Sequence, residues 1–265
     1  MRAFLAALDD RPPDSSGIAR VRAGLEILGR PDIRYLVATV RGPGAPIVAR
    51  YARGILEAAG APTGRPDDPL EDALFARAGT EVASAGYALA ASRPDLGELS
   101  RAEVTLLLGL TALAAASRRV VLLVNEGAIS GPTLFDAVAA DAVALVGPTG
   151  AVAAALGAVP AGQPVVVVPA SPDPAPLSRA AEIDRVAADR GLALVLAGRE
   201  FSAARRGAVV DVTVAGEAYT GLAPAGDDDP WLVAAGIATA LAIAIHGIRM
   251  RPEWVARGVS AAAAE

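Results

Sequence analysis

Short, continuous apolar runs alternate with longer helical segments along most of the 265-residue chain. The apolar runs cover residues 35–40, 119–125, 142–147, 164–169 and 192–196. Strands that are apolar along their whole length are buried on both faces, as in a parallel sheet covered by helices. The pattern therefore predicts an α/β fold with a mostly parallel sheet flanked by helices.

Helical periodicity and end signals place the helices between these strands. We predict helices over residues 17–29, 46–60, 70–92, 101–117, 177–190, 230–248 and 252–258. Residues 61–69 and 171–176 are expected to be loops, and residues 207–222 are expected to form a β-hairpin around Gly216 at an antiparallel edge. We expect a single domain over residues 1–260 and a frayed, Ala-rich tail over residues 261–265.

Composition removes several classes of function. All 24 basic residues are Arg, the net charge is -5, and no basic block stands out, which argues against nucleic acid as a partner. The absence of cysteine excludes disulfides, thiolate nucleophiles and Cys-type metal sites. The N-terminal MRAFLAALDDRPP lacks a long apolar core and is acidic by position 9, so it does not resemble a signal peptide, and we expect a cytoplasmic protein.

One segment raises the alternative of a membrane span. Residues 231–248 carry no charge over 18 positions, which is near the lower length limit for a spanning helix. The segment is rich in Ala and Gly, contains Thr239 and the single histidine, His246, and follows an Asp-Asp-Asp-Pro cap. We therefore predict a buried core helix, with His246 as a core or helix-end residue, and no membrane partner.

A Gly-containing loop follows the first predicted strand and opens a helix. Its sequence is Arg41-Gly42-Pro43-Gly44-Ala45-Pro46. A glycine loop at a helix N-terminus is a P-loop-like arrangement, since backbone N–H groups and the helix dipole attract anions there. Arg41, Gly42 and Gly44 are therefore the candidate nucleotide- or anion-binding residues. The alternative is a purely structural turn.

Several further motifs occur in a consistent order around this loop. They are Leu28-Gly29-Arg30-Pro31 before it, then Arg101-Ala102-Glu103-Val104-Thr105, Asn125-Glu126-Gly127, residues 156–166 (LGAVPAGQPVV), Gly198-Arg199-Glu200-Phe201, Tyr219-Thr220-Gly221-Leu222 and Arg257-Gly258-Val259. Together they resemble the folylpolyglutamate synthase branch of the Mur ligase family. The resemblance implies a P-loop NTPase-like central ATPase domain, with Mg-ATP as a possible cofactor and acid–amino-acid ligation as the activity.

The sequence departs from the family pattern where the chemistry would lie. Aligned without gaps, the phosphate-binding lysine falls on Pro43 and the hydroxyl residue that ligates Mg²⁺ falls on Ala45. Asn125 stands at the metal glutamate, Gly147-Pro148-Thr149-Gly150 lacks the family's D-H pair, and Ala155-Leu156-Gly157 offers no carbamate lysine. The chain ends about where the family's C-terminal domain begins, so the resemblance implies that half of the ligase machinery is absent.

Three acidic residues are candidates for a remaining metal site. The resemblance implies that Glu103 matches a magnesium-associated glutamate. With a register slip, Glu126 takes the place of the glutamate that is missing at Asn125, and with about three extra residues between, Asp136 matches a family aspartate. The alternative is that they are a helix acid, a loop acid and an acid in an N-terminal turn.

We assign no catalytic residue from the sequence. The main hypothesis is a catalytically degenerate homologue of an ATP-dependent amide ligase, acting as a non-catalytic scaffold or partner subunit, through another protein chain or through self-association. The alternative is a residual ATP- or anion-binding ligase subunit completed by another chain. A third hypothesis, an unrelated α/β enzyme such as a hydrolase, lacks a G-x-S-x-G motif and has only one histidine to draw on.

Overall fold

A computed structural model describes residues 8–10, 15–69, 71–127, 129, 131, 133–169 and 177–264. The loop expected over residues 171–176 lies outside this part of the chain. The helices are α1 (Ser15–Ile27), α2 (Ala45–Ala58), α3 (Asp72–Ser92), α4 (Arg101–Ala115), α5 (Thr149–Leu156), α6 (Leu177–Asp189), α7 (Pro230–Ala244) and α8 (Pro252–Ala262). The strands are β1 (Leu36–Arg41), β2 (Thr63–Gly64), β3 (Val120–Asn125), β4 (Ala142–Gly147), β5 (Pro164–Pro169), β6 (Ala193–Leu196), β7 (Phe201–Arg206), β8 (Val209–Val214) and β9 (Glu217–Leu222).

Six strands form one sheet in the order β2-β3-β1-β4-β5-β6. The register of β1, β4, β5 and β6 is parallel, with Ala38 opposite Ala142, Val143 opposite Val165 and Pro164 opposite Ala193. The inner strands are buried because Val, Leu and Ala fill both of their faces. The predicted α/β fold with a mostly parallel sheet is therefore confirmed, and each of the five predicted strands is present within about a residue of its expected bounds.

The chain divides into two compact units. The first unit contains residues 1–37, 64–123 and 132–139, and the second contains residues 38–63, 124–131 and 140–265. In the first unit, α1, α3 and α4 pack on one another around buried aliphatic side chains that include Val21, Leu25, Leu89 and Leu107. In the second unit, α2 packs on α7 and α8, and α7 also contacts β4 and β5.

The antiparallel part of the fold differs from its prediction. The expected hairpin over residues 207–222 is present as β8 and β9, but it pairs with β7 in a separate three-stranded sheet of order β7-β8-β9. It is therefore not an edge of the parallel sheet. We did not predict β7 because its sequence, FSAARR, has polar or small residues at most positions. Helix α5 and the two-residue β2 were also missed.

Helix α7 confirms the prediction of a core helix. Asp229 caps its N-terminus by accepting a hydrogen bond from the Trp231 N–H at 2.9 Å, and Pro230 occupies the first turn. The helix is almost wholly buried from Val233 to Ala244. No helix among the described residues combines the length and apolar character that crossing a membrane requires. The helix ends four residues earlier than expected, so His246 lies beyond its end and is exposed.

The C-terminal helix α8 crosses α2 at very short range. A Cβ on Gly54 would lie 2.5 Å from the carbonyl oxygen of Gly258, and a Cβ on Gly258 would lie 2.4 Å from the Cα of Ile55. Such a crossing is open only to glycine, because any side chain would enter the other backbone. Helix α8 also continues through Ala261 and the buried Ala262, two residues into the tail that we expected to be frayed.

Candidate functional site

The loop that opens α2 is a tight turn over residues 42–45, here called the Gly-Pro-Gly turn. The Ala45 N–H donates to the Gly42 carbonyl oxygen at 3.0 Å, which closes a four-residue β-turn. Gly44 has φ 82° and ψ 1°, the values of the third position of a type II turn. That position favours glycine, and the preceding position favours proline, so Pro43-Gly44 explains the local fold without any ligand.

The backbone donors of this turn are mostly engaged within the chain. The Gly42 N–H donates to the Asn125 carbonyl oxygen at 2.8 Å, and the Ile47 and Val48 N–H groups donate to the Gly44 carbonyl oxygen at 3.0 and 3.1 Å. Pro43 and Pro46 have no N–H to offer. In residues 42–48, the Gly44 N–H alone lacks a hydrogen-bond acceptor among the described residues. A phosphate-binding loop needs several N–H groups that point at the same ligand, and this turn has one such group to offer, that of Gly44.

Protein atoms cover the two glycines on the sides where a side chain would project. A Cβ on Gly42 would lie 1.8 Å from the Val146 carbonyl oxygen and 2.5 Å from the Ile129 Cγ2. A Cβ on Gly44 would lie 2.8 Å from the Leu232 Cδ1. Ile129 is only 3% exposed, so it is a buried apolar side chain packed against the turn. The glycines therefore accommodate close packing within the second unit.

Arg41, the third candidate for anion binding, is the last residue of β1 and is half-buried. Asn125 ends β3, where the family resemblance implies a metal glutamate. Its side-chain carbonyl accepts a hydrogen bond from the Gly127 N–H at 3.0 Å, so it stabilises its own loop. Nucleotide or anion binding by Arg41, Gly42 and Gly44 stays a prediction.

Glu103, the first metal candidate, lies in the first turn of α4, as predicted, and is 1% exposed. Its carboxylate accepts two hydrogen bonds from the guanidinium of Arg20, at 2.9 and 2.8 Å. It also accepts from the Ser100 N–H at 3.0 Å and completes a capping box with that residue. Sequence reasoning missed Arg20, although it falls on the buried stripe of α1 with Gly17, Val21 and Leu25, where an arginine signals a buried partner.

The other two metal candidates have different surroundings. Asp136 accepts hydrogen bonds from the Thr133 N–H at 2.7 Å and the Thr133 hydroxyl at 3.3 Å in a short 3₁₀ turn of the first unit. Glu126 belongs to the second unit and is exposed. Within the part of the chain that the structure describes, no three Asp, Glu or His residues are grouped to hold a metal ion. These surroundings do not fit a magnesium site, and metal binding by Glu103, Glu126 and Asp136 stays a prediction without geometric support.

A polar cluster that sequence reasoning missed lies on α2, two turns beyond the Gly-Pro-Gly turn. Asp228 accepts a 2.5 Å hydrogen bond from the Tyr51 hydroxyl and an ion-paired hydrogen bond from Arg50, whose guanidinium lies 5.1 Å from the centre of the Tyr51 ring. The Ala225 N–H donates to the Tyr51 hydroxyl at 2.9 Å. Burial, followed by the bond to Asp228, raises the pKa of Tyr51. The sequence predicts the acidic run 227–229 only as a helix cap, whereas the bonds of Asp228 to Arg50 and Tyr51 also hold its loop against α2.

The chain has the fold of solved folylpolyglutamate synthases, as the sequence resemblance predicted. The apo folylpolyglutamate synthase of Lactobacillus casei matches with a TM-score of 0.82 at 19% identity, over 98% of this chain and 70% of that enzyme. A folylpolyglutamate synthase in complex with AMPPCP and folate matches with a TM-score of 0.81 at 19% identity, with the same coverage.

The enzyme of Mycobacterium tuberculosis in complex with ADP has a TM-score of 0.79 at 16% identity, over 98% of this chain and 64% of that enzyme. No protein-family model matches the sequence, and comparison with curated proteins finds no significant relative. At these identities the likeness establishes the fold. The chemistry has to be argued from the residues of this chain.

Proposed function

We propose that this chain is a catalytically degenerate counterpart of the ATP-dependent amide ligases whose fold it has, acting as a non-catalytic scaffold or partner subunit. The observation that supports the proposal best is the closed state of the Gly-Pro-Gly turn. Pro43 and Pro46 have no N–H, and the other N–H groups of residues 42–48 are bonded within the chain, except that of Gly44. The two glycines pack against Val146, Ile129 and Leu232.

The side chains at the turn support the same conclusion. Phosphoryl transfer depends on positioned positive charge and on a metal ion, because the transition state carries charge on its phosphoryl oxygens. Pro43 and Ala45 provide neither a cation nor a metal-binding hydroxyl. Removing one such stabilising donor from an enzyme commonly costs about 2.7–4 kcal/mol of transition-state stabilisation. Losing several of these groups together is therefore expected to abolish useful ligase activity.

One observation favours the alternative of a nucleotide- or anion-binding ligase subunit that works with another chain. The Gly44 N–H lies at the positive end of α2, close in sequence to Arg41, and a helix N-terminus attracts anions. The AMPPCP and ADP complexes with the same fold make Mg-ATP the nucleotide to test.

The test is a calorimetric titration of Mg-ATP and of Mg-ADP into the protein, repeated by thermal shift. Free ligand at 100 times its Kd would stabilise the folded state by about 2.7 kcal/mol, which is readily seen as a raised Tm. We expect no saturable heat and no shift at millimolar nucleotide. Saturable binding that weakens in Arg41→Ala would overturn the proposal in favour of the alternative.

A variant that restores the missing side chains provides the control. In Pro43→Lys/Ala45→Ser, the lysine and the hydroxyl return to the positions that the ungapped alignment gives them. We expect this variant also to bind no nucleotide, because the Gly42, Ile47 and Val48 N–H groups stay bonded within the chain. Binding gained by this variant would mean that only those two side chains were missing.

A scaffold acts through contacts, so we expect self-association or a stable complex with another protein chain. Light scattering across a wide concentration range tests the first, and affinity capture followed by mass spectrometry tests the second. A monomer at every concentration that also captures no specific chain would contradict the scaffold proposal.

A further inference from the structure

A buried ion pair of the first unit joins Arg20 of α1 to Glu103 of α4. The two residues are 83 positions apart in sequence, and they are 4% and 1% exposed. The Arg20 Nε lies 2.9 Å from Glu103 Oε2, and the Arg20 Nη2 lies 2.8 Å from Glu103 Oε1. This is the bidentate geometry in which a planar guanidinium fits a carboxylate best.

Further hydrogen bonds stabilise both charged groups. The Arg20 Nη1 donates to the Leu96 carbonyl oxygen at 2.9 Å, and the Ser100 N–H donates to Glu103 Oε2 at 3.0 Å. In return, the Glu103 N–H donates to the Ser100 hydroxyl at 3.4 Å. A buried pair is tolerated only when its remaining donors and acceptors are satisfied in this way.

The donor set leaves no place for a metal ion on this carboxylate. Mg²⁺ binds carboxylate oxygens at about 2.0–2.1 Å in near-octahedral geometry and keeps several of its own waters. Both Glu103 oxygens already accept from Arg20 or Ser100, and the carboxylate is closed to solvent. A metal ion could reach Glu103 only by displacing the Arg20 guanidinium. The metal ion and the displaced guanidinium would then be two buried cations side by side.

We propose that the Arg20 guanidinium is the permanent counter-cation of Glu103, and that the pair is a metal-independent lock between α1 and the first turn of α4. The resemblance assigned Glu103 a magnesium-associated role, and the geometry of this chain disagrees with it. The proposal concerns the first unit alone and holds whether or not nucleotide binds at the Gly-Pro-Gly turn.

The lock is tested by thermal denaturation of the wild type, Arg20→Met, Glu103→Leu and the double variant, each with EDTA, millimolar Mg²⁺ or millimolar Mn²⁺. Breaking a buried pair leaves an uncompensated charge, whereas replacing both partners by apolar residues is often nearly neutral. We expect each single variant to lower the Tm by about 10 °C, and the double variant to recover most of that loss. We expect neither metal nor EDTA to move any of the four midpoints.

Two controls separate the charge pair from the helix cap. Glu103→Gln keeps a capping-box residue but removes the charge, so it should lose nearly as much Tm as Glu103→Leu. Ser100→Ala removes the cap but keeps the pair, so it should lower the Tm by only about 2–4 °C.

Two results would overturn the lock. One is a saturable rise of the wild-type Tm with Mg²⁺ or Mn²⁺ that disappears in Glu103→Leu, which would make Glu103 a metal ligand. The other is a double variant that loses as much as the two single variants combined. If a single variant does not fold, the double variant decides the matter, because the lock requires its Tm to lie within a few degrees of the wild type. Nucleotide titration of the same proteins tests the proposed function separately.

Discussion

At the scale of single residues, the Gly-Pro-Gly turn shows how a motif can keep its glycines while its environment changes. Gly42 has φ 104°, a conformation that L side chains rarely adopt, and its missing side chain makes room for the Val146 carbonyl oxygen. A ligand-binding loop and a closely packed turn can therefore have the same glycine pattern. Sequence alone does not separate them, because the packing partner is about 100 residues away.

Gly42→Ala tests whether packing is what requires this glycine. Positive-φ strain costs an L residue about 1–3 kcal/mol, and forcing a methyl group into packed structure adds about 1–3 kcal/mol. We expect a loss of unfolding free energy of about 2–6 kcal/mol, measured by urea denaturation.

The matched control is Gly29→Ala. Gly29 also has a positive φ, 73°, but no atom lies within 4 Å of the position of an added Cβ. It should therefore show the strain alone, about 1–2 kcal/mol. Equal losses in the two variants would mean that the Val146 carbonyl does not restrict this position.

At the scale of elements, strands that are apolar throughout were predictable, because burial on both faces depends only on the residues of the strand itself. The predicted bounds of β4 and β5 agree with the structure at every residue. Strand β7 was not predictable in this way, since FSAARR is stabilised by its ladder with β8.

The candidate site was harder to predict than the sheet. The turn after β1 was found, but Arg20–Glu103 and Tyr51–Asp228 join residues 83 and 177 positions apart, and only the tertiary fold brings them together. Of these four residues, Arg20 could be recognised from the sequence, because it is a charged residue on the apolar stripe of α1.

The crossing of α2 and α8 provides a prediction about helix packing. In Gly258→Ala, the new methyl group would lie 2.4 Å from the Ile55 Cα, and backbone cannot move aside as a flexible side chain can. Overpacking of this kind costs about 1–3 kcal/mol, more than the gain of roughly 0.5–1 kcal/mol from replacing a helical glycine by alanine. We expect a clear loss of unfolding free energy by urea denaturation.

Gly86→Ala in α3 is the control for this substitution. Gly86 is also inside a helix, and an added Cβ would meet only the Leu99 Cδ1, at an ordinary contact distance of 3.6 Å. The helix-propensity gain should therefore dominate, and stability should stay unchanged or rise by up to about 1 kcal/mol. A Gly258→Ala variant as stable as Gly86→Ala would show that α8 does not approach α2 so closely.

At the scale of the whole molecule, the composition leaves tyrosine as the main side chain that can make stability depend on pH in the alkaline range. The chain has no lysine and no cysteine, so tyrosine, with four residues, is the side-chain type present whose ordinary pKa is about 10. Burial, followed by the charge of Asp32, raises the pKa of Tyr35, and burial is also the main cause of the raised pKa values of Tyr51 and Tyr219. We therefore expect the fall in stability above pH 10 to come mainly from the ionisation of these tyrosines.

The pH dependence of stability follows from the difference in tyrosine pKa between the folded and unfolded states. A tyrosine whose pKa is raised by folding favours the folded state fully below its unfolded pKa of about 10, and this contribution falls as pH rises above that value. Each such tyrosine should lower the unfolding free energy by roughly 1.4 kcal/mol per pH unit until its folded pKa is reached. The wild type should accordingly be equally stable at pH 8 and 9 with respect to these groups, and lose stability steeply above pH 10.

Tyr35→Phe isolates one of these contributions. Tyr35 is 7% exposed, and among the described residues its hydroxyl makes one long hydrogen bond, 3.4 Å to the Leu110 carbonyl oxygen, so the variant should lose little stability at pH 8. Above pH 10, its unfolding free energy should fall less steeply than that of the wild type, by roughly 1.4 kcal/mol per pH unit. Tyr87→Phe is the control, because Tyr87 is 77% exposed and its phenol meets solvent in both states. The unfolding free energy of all three proteins is measured by urea denaturation from pH 8 to 11.5. Parallel plots of unfolding free energy against pH for Tyr35→Phe and the wild type would mean that the Tyr35 phenol ionises without unfolding the chain.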